Sequence, residues 1–422
     1  MNSILPIQGM LLFLSSTFIV TLSKLFRKPT TSLSSLSSLS SLSSLSSSSI
    51  QYVNYDNSLI PDCIIVDCTH PHNQQITHHL KYKSQKALSL DLNNRGDSTT
   101  DSVINIIKSS SSSTSKLNKF KYVSSNHFDI DSFISTWCII NPDLAIKHEK
   151  VLRDIGKIGD FRELTLNDED NYNALKIACW LNSEERRLFY RPFESTITAK
   201  KGEEEGEDKF IYFLPVFKNI IENPNQYESQ WKDEYNQVLQ EYNKIHINKE
   251  NIKHYNEIGL VVVRNINPGH YYSLFSTSYG FDIVLALYSD NRYELEIKYT
   301  TYIDLGSRPS LPRCELQQLC NYLNEQDKLN SKLKWNCNRI TDSGPIMRID
   351  DTEKHLSKAE RYGHPYERPI YSSFIPKEEF ESIVVSYFQY AYNNVDKKKD
   401  WSWSEYHNFN RDINWKAWRK NI

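Results

Sequence analysis

The sequence predicts an α/β protein: a parallel-sheet N-terminal domain with a helical insertion, followed by a second α+β domain with an antiparallel sheet. Three observations predict this. Short apolar runs alternate with helical periodicity up to about residue 143. A mostly helical stretch then continues to about residue 250. Beyond it the period changes to two, as where Tyr293, Leu295 and Ile297 alternate with Glu294, Glu296 and Lys298.

Each element follows from its local pattern. Cys63–Cys68 (CIIVDC) is a short apolar run that reads as a buried parallel strand. Ala87–Leu92 (ALSLDL) reads as a second strand and Phe120–Asn126 as a third. Helices are expected near Ser98–Lys108 and over Asp131–Ile140, and the acidic run GEEEGED at 202–208 reads as a solvated loop. In the second half, Gly259–Arg264, His270–Ser276, Phe281–Leu287 and Arg292–Thr300 read as strands of an antiparallel sheet, the last of them half-exposed. Glu315–Leu323 and Glu378–Tyr392 read as helices packed on that sheet. Trp401, Trp403, Trp415 and Trp418 are expected to dock the C-terminal segment by aromatic burial.

The ends and interruptions carry their own signals. Ile4–Ser23 is uncharged and mostly apolar, and its twenty residues would span about 30 Å as a helix. Lys24, Arg27 and Lys28 follow it, so the positive-inside rule predicts a single-pass membrane protein with a cytosolic body. A mitochondrial presequence is the alternative, since no acidic residue precedes Asp56. The expected organisation is an anchor or targeting segment (1–28), a Ser/Leu linker (29–55), the α/β domain (56–255, with a poly-Ser loop at 109–115) and the α+β domain (256–422).

Composition excludes several functions. Lysine plus arginine number 50 against 52 acidic residues in 422, a net charge of −2 that disfavours a nucleic-acid partner. Only 12 glycines are present, with no GxxxxGK[ST] and no GxGxxG, so the usual nucleotide loops are missing. The seven cysteines form no CxxC and read as reduced thiols.

The residues with chemistry are His127, Asp129 and Asp131 in NHFDIDS (126–132), which follows a strand and opens a helix. On an extended segment the three share one face, and one imidazole with two carboxylates suits Mn²⁺, Mg²⁺ or Zn²⁺. The structural alternative is that Asp129 and Asp131 serve as turn and helix-capping residues. Upstream, Asp67 ends a parallel strand, the edge at which open α/β sheets bind ligands, and His78 lies in the following DCTHPHNQQITHH. Asp67 and His78 could complete a binuclear site, with His127 and Asp131 as the catalytic pair. Downstream, Arg308, Arg313 and Arg348 sit beside Pro or Gly and are candidates to hold an anionic substrate by bidentate bonds.

Two resemblances follow. The HxDxDS pattern resembles the first motif of the DHH phosphoesterases, which implies a two-manganese site. No Asp-His-His follows His127, and the nearest candidate, Asp67 with His78-His79, lies upstream. Leu356–Pro365 (LSKAERYGHP) resembles the glycine-histidine ending of the domain that accompanies DHH domains, which implies substrate contact for His364. Over about residues 62–410 the chain resembles an uncharacterised plant and bacterial family carrying a domain of unknown function. The stretches PGHYYSLFSTSYGFD, RYELEIKYTTYIDLGSRPSLPR, ITDSGPIMRI and LSKAERYGHPYERP carry that likeness. It implies a shared fold and no particular reaction. The expected function is a metal-dependent, phosphoesterase-like hydrolase, using Mn or Mg on a phosphate-containing small molecule in an interdomain cleft. The alternative is a non-enzymatic binding or scaffold protein tethered to a membrane through Ile4–Ser23.

Overall fold

The computed structural model describes residues 50–81, 83–109, 116–189 and 204–422. The expected anchor, the Ser/Leu linker up to residue 49 and the poly-Ser positions 110–115 lie outside them. Among the described residues no helix is long and apolar enough to cross a membrane. The expectation of a single-pass membrane protein is corrected to that extent: the described residues hold no membrane-spanning helix, and Ile4–Ser23 lies outside them.

Two sheets organise the chain, and residues from Ser49 to Ile422 form one compact unit. The first sheet holds β1 (Gln51–Tyr52), β2 (Cys63–Val66), β3 (Gln75–Ile76) and β4 (Tyr122–Ser124), in the order β1-β4-β2-β3. All its pairs are parallel. The four β2 residues, CIIV, are buried, as a parallel strand covered on both faces requires. Helices Thr99–Ser109, Ile130–Ile140, Glu149–Phe161, Glu169–Leu188, Glu204–Glu222 and Glu228–Ile247 make up the helical part. Ile64, Val66, Val123, Phe133, Trp137, Trp180 and Phe217 belong to its core.

Two local expectations are corrected in this half. ALSLDL supplies only a bridge from Ser89 to Gln75, and the strand position goes to Gln75–Ile76. A buried glutamine is tolerated there because its side chain accepts from His70 N–H (2.7 Å) and donates to the Gln85 carbonyl (2.8 Å). The acidic run expected as a loop is helical from Glu204.

The second sheet holds β5 (Ile252–Tyr255), β6 (Leu260–Ile266), β7 (Ile283–Tyr288), β8 (Arg292–Ile297), β9 (Leu333–Cys337) and β10 (Ile346–Asp351). Its order is β5-β6-β7-β8-β10-β9. The β6/β7 pair is parallel and the other pairs are antiparallel, so the sheet is mixed. Leu260, Val262, Leu285 and Leu295 pack one face, with Phe380, Val384 and Phe388 of helix Lys377–Ala391. Val261, Val263, Val284 and Ala286 pack the other, with Leu274 and Phe275. The segment expected as a strand at His270–Ser276 is a short helix, Tyr271–Phe275. Its start is capped by the His270 ring, which accepts the Tyr272 amide.

The polar face of β8, expected to meet solvent, is buried: Glu294 and Glu296 are 4 % and 6 % exposed. Burying a carboxylate requires a partner. Arg162, at the end of helix Glu149–Phe161, donates to Glu296 at 2.9 Å, and Arg368 donates to Glu294 at 3.2 Å. Lys298, 1 % exposed, meets Glu163 at 2.6 Å. The chain after β8 then runs onto the loops of the first sheet. Asp304 N–H donates to the His78 carbonyl (2.9 Å), and Lys81 donates to the Asp304 carboxylate (2.9 Å) and to the Ile303 carbonyl (2.8 Å). The C-terminal tryptophans dock as expected: Trp401 donates to the Ser310 carbonyl at 2.9 Å, and Trp415 stacks on Tyr387 at 4.3 Å. All seven cysteines are free thiols.

Removing one partner of a buried ion pair strands the other charge, at a cost of about 3–5 kcal/mol. Lys298→Ala is therefore expected to lower unfolding stability in urea by about 3 kcal/mol. The exposed pair of Lys332 and Glu353, each 61 % exposed, supplies the control. Lys332→Ala should cost under about 1 kcal/mol.

Candidate metal centre

Three neighbouring strands of the first sheet end at one place, and each delivers a ligand-type side chain there. Asp67 directly follows β2, in the left-handed region at φ 58°. Such a backbone costs a non-glycine residue about 1 kcal/mol or more and persists where surrounding structure holds it. Here Asp67 N–H donates to the Ile76 carbonyl at 3.0 Å. His78 and His79 follow β3, and His127 and Asp129 follow β4. Asp131 lies in the first turn of helix Ile130–Ile140, and Asp160 lies near the end of helix Glu149–Phe161.

Asp67 is the hub and is 1 % exposed. Its Oδ1 accepts the Thr99 hydroxyl at 2.6 Å and lies 3.4 Å from His78 Nε2 and 3.8 Å from His79 Nε2. Its Oδ2 lies 3.4 Å from His127 Nε2. Three triads have ligand atoms within 4.8 Å of one another: Asp67/His78/His79, Asp67/His127/Asp129 and His78/Asp131/Asp160. Asp67 and His78 each serve two of them.

The inner and outer halves differ in solvent access. His127 and Asp129 side chains are 39 % and 46 % exposed. His78 is 0 % exposed, and the Asp160 side chain is 5 % exposed. His78 Nδ1 lies 3.0 Å from the Asp97 carbonyl, which can only accept, so Nδ1 carries a proton and Nε2 is turned toward the carboxylates. That Nε2 and the facing Asp160 Oδ2, 3.5 Å apart, are buried without a hydrogen-bond partner among the described residues. Buried polar atoms are normally satisfied, so two orphans facing each other call for a guest with positive charge.

The electrostatics agree. Burial pushes the Asp131 carboxyl well above the carboxylate range, and neighbouring Asp67 adds to it. Asp160 is raised for the same reasons, by burial first and then by Asp131 and Asp67. Burial would lower His127, but Asp129 and Asp67 overrule it and hold the imidazolium well above the histidine range. Burial, with the charges of His78 and His127, keeps His79 neutral, well below that range. Without a cation, the cluster takes up protons in its place. Imidazole nitrogen with carboxylate oxygen is a donor set for Mn²⁺ or Zn²⁺.

All five expected metal ligands, Asp67, His78, His127, Asp129 and Asp131, meet here. Asp129 also caps its helix, its Oδ1 accepting the Ser132 amide at 2.8 Å. Asp131 is turned inward, accepting the Thr99 and Thr100 amides at 2.6 and 3.0 Å. The sequence reading singled out neither His79 nor Asp160 as a member of the cluster. The signal for Asp160 was the pair Gly156 and Gly159 just before it. A Cβ on Gly156 would stand 2.9 Å from Asp131 Oδ1, and one on Gly159 would stand 2.6 Å from Ile130 Cβ. Glycine there lets the helix approach the cluster.

The four substrate-binding candidates are placed elsewhere and are corrected. Arg308 forks onto the Asp282 carboxylate at 2.6 and 3.0 Å. Arg313 is fully buried and clamps the carbonyls of Ile340, Asp342 and Ser343. Arg348 pairs with Asp350 at 2.8 Å. His364 stacks on Tyr271 with ring centres 4.0 Å apart and lies 3.8 Å from His270. Each is engaged by protein groups, so proximity to Pro and Gly marked structural loops. A cleft of about 400 Å³ does open onto the cluster, and Asp67, His79, His127, Lys81, Tyr302 and Trp403 line it. Of these, Lys81, Tyr302 and Trp403 were not singled out from the sequence as site residues.

Comparison with curated proteins gives no match, and nothing in the comparisons supports the likeness to DHH phosphoesterases. A family model described as a family of unknown function (DUF6687) matches residues 48–399. That span contains both sheets and all seven residues of the cluster. It covers well over half of the 422 residues, and the chain belongs to this family of unknown function.

Proposed function

We propose that the protein is a metal-dependent hydrolase of phosphate esters, with divalent cations, Mn²⁺ first among them, held around Asp67. The observation that carries this reading is the orphaned His78 Nε2 facing the orphaned Asp160 Oδ2 inside a ring of carboxylates. A divalent cation bound there supplies an acidified water and polarises a phosphoryl oxygen. His78 links the inner group (Asp131, Asp160) to Asp67, and Asp67 in turn links it to the outer pair (His127, Asp129). Asp131 holds two backbone amides and is cut off from solvent, so its part is to retain a cation and not to touch substrate. His127 and His79 stand on the cleft wall, on the side from which a substrate arrives. The Tyr299 hydroxyl lies 3.1 Å from His79 Nε2, and burial keeps its phenol protonated.

Purified full-length protein supplied with Mn²⁺ should retain it near-stoichiometrically and hydrolyse p-nitrophenyl phosphate. Asp67→Asn should lower metal retention and turnover by about 100-fold or more. Equal metal content in wild type and variant, by elemental analysis, would contradict the reading.

A second prediction concerns pH in metal-stripped protein. His127, Asp131 and Asp160 have raised folded values, so the native state holds more protons than the unfolded one and loses stability as pH rises. His79 has a lowered value and acts oppositely, but only below the ordinary histidine value of about 6.5. From about pH 6.5 upward the thermal midpoint of chelated protein should therefore fall. Mn²⁺ replaces those protons, so the loaded protein should show a flatter profile over the same range.

A further inference from the structure

We infer that the cleft takes a phosphate monoester whose alcohol part is a planar ring, seated against Tyr302 and Trp403. This rests on the metal-hydrolase reading and names the substrate class for the same site. The cleft has two unlike walls. One is the ligand wall of Asp67, His79 and His127, and the other presents Tyr302 and Trp403. The Tyr302 ring centre lies 6.1 Å from that of His79 and 5.5 Å from that of Trp403, with the tryptophan edge-on at 67°. A phosphoryl group at the ligand wall would thus place the first ring of its ester beside these two aromatics, within stacking range.

The aromatic wall is built before any ligand arrives. Tyr302 stacks on Tyr299 at 5.5 Å, its amide donates to the Tyr299 carbonyl at 2.7 Å, and the Arg313 guanidinium lies 5.3 Å from its ring centre. Trp403 opens helix Trp403–Asp412, whose start is fixed by the reciprocal Ser402–Glu405 cap. One turn on, fully buried Tyr406 donates to the Thr301 carbonyl at 2.7 Å and ties that helix to the segment bearing Tyr302. A preformed wall spares the ligand the cost of ordering it. Tyr406 and Trp418 are sealed in the core, whereas Tyr302 and Trp403 remain partly exposed, and they do so in this cleft. Charge narrows the class further. The ammonium of Lys81 on the cleft wall is already paired with Asp304 at 2.9 Å. Beyond the ligand wall the cleft therefore offers little to a polyphosphate, and a ring-bearing monoester is the better fit.

The test uses full-length protein loaded with Mn²⁺ and two non-hydrolysable probes, phenylphosphonate and methylphosphonate, compared by calorimetry. Phenylphosphonate should bind about tenfold tighter, the size expected of one stacked ring. Trp403→Leu should abolish that ratio, and Trp403→Phe should keep most of it, with Mn²⁺ content unchanged in both. Equal binding of the two probes by Mn²⁺-loaded wild type would overturn the ring preference and leave the metal reading standing. Failure to retain Mn²⁺ and to bind either probe would overturn both.

Discussion

Three carboxylates and three imidazoles crowd around the Asp67 carboxylate, most of the seven shut away from water, and this is the constraint on which the rest of the structure depends. In a low-dielectric pocket such a group cannot hold its negative charge uncompensated. Protons compensate it in the metal-free chain, which is why Asp131 and Asp160 are pushed up and His127 is held charged. His78 Nε2 and Asp160 Oδ2 nevertheless face each other 3.5 Å apart without a hydrogen bond, and a divalent cation would take both as ligands. The left-handed backbone at Asp67 and the two glycines that admit Asp160 are further signs that the fold has been bent around this one place.

The second sheet exists in this architecture partly to close that place. Its β8 strand turns Glu294 and Glu296 inward against arginines, and the chain beyond it crosses to the ends of the first sheet. Tyr299, Tyr302 and Asp304 arrive by that route: Tyr299 on His79, Asp304 on the His78 backbone and on Lys81. The C-terminal segment then packs over the same crossing through Trp401, Trp403 and Tyr406. Packing and chemistry are therefore coupled. The ion pairs that hold the halves together also set the cleft's far wall.

Much of this was legible in the sequence. The apolar run before Asp67, the strand before His127 and the spacing of HFDID mark two sheet ends with ligand-type residues, and the structure joins them. What escaped notice did so for physical reasons. Asp160 ends an amphipathic helix and looks like any solvated acid; only tertiary packing through Gly156 brings it inward. Glu294 and Glu296 alternate as an exposed face would, because pairing with Arg162 and Arg368 leaves no mark on local periodicity. His270–Ser276 has the aromatic content of a strand, yet a histidine cap outweighs that preference. Arg313 carries the chemistry of an anion binder, but the carbonyls of Lys298, Ile340, Asp342 and Ser343 and the Thr301 hydroxyl take up its guanidinium. Burial partners distant in sequence decide each of these cases.

The central claim is that the two orphaned atoms facing each other are halves of a cation site. The most direct measurement is a crystal structure of Mn²⁺-soaked protein with anomalous data at the manganese edge. The account predicts an anomalous peak at coordination distance, about 2.0–2.2 Å, from His78 Nε2 and from the Asp160 carboxylate, with Asp67 turned toward it. An ordered water bridging His78 Nε2 and Asp160 Oδ2, with no anomalous signal, would contradict it.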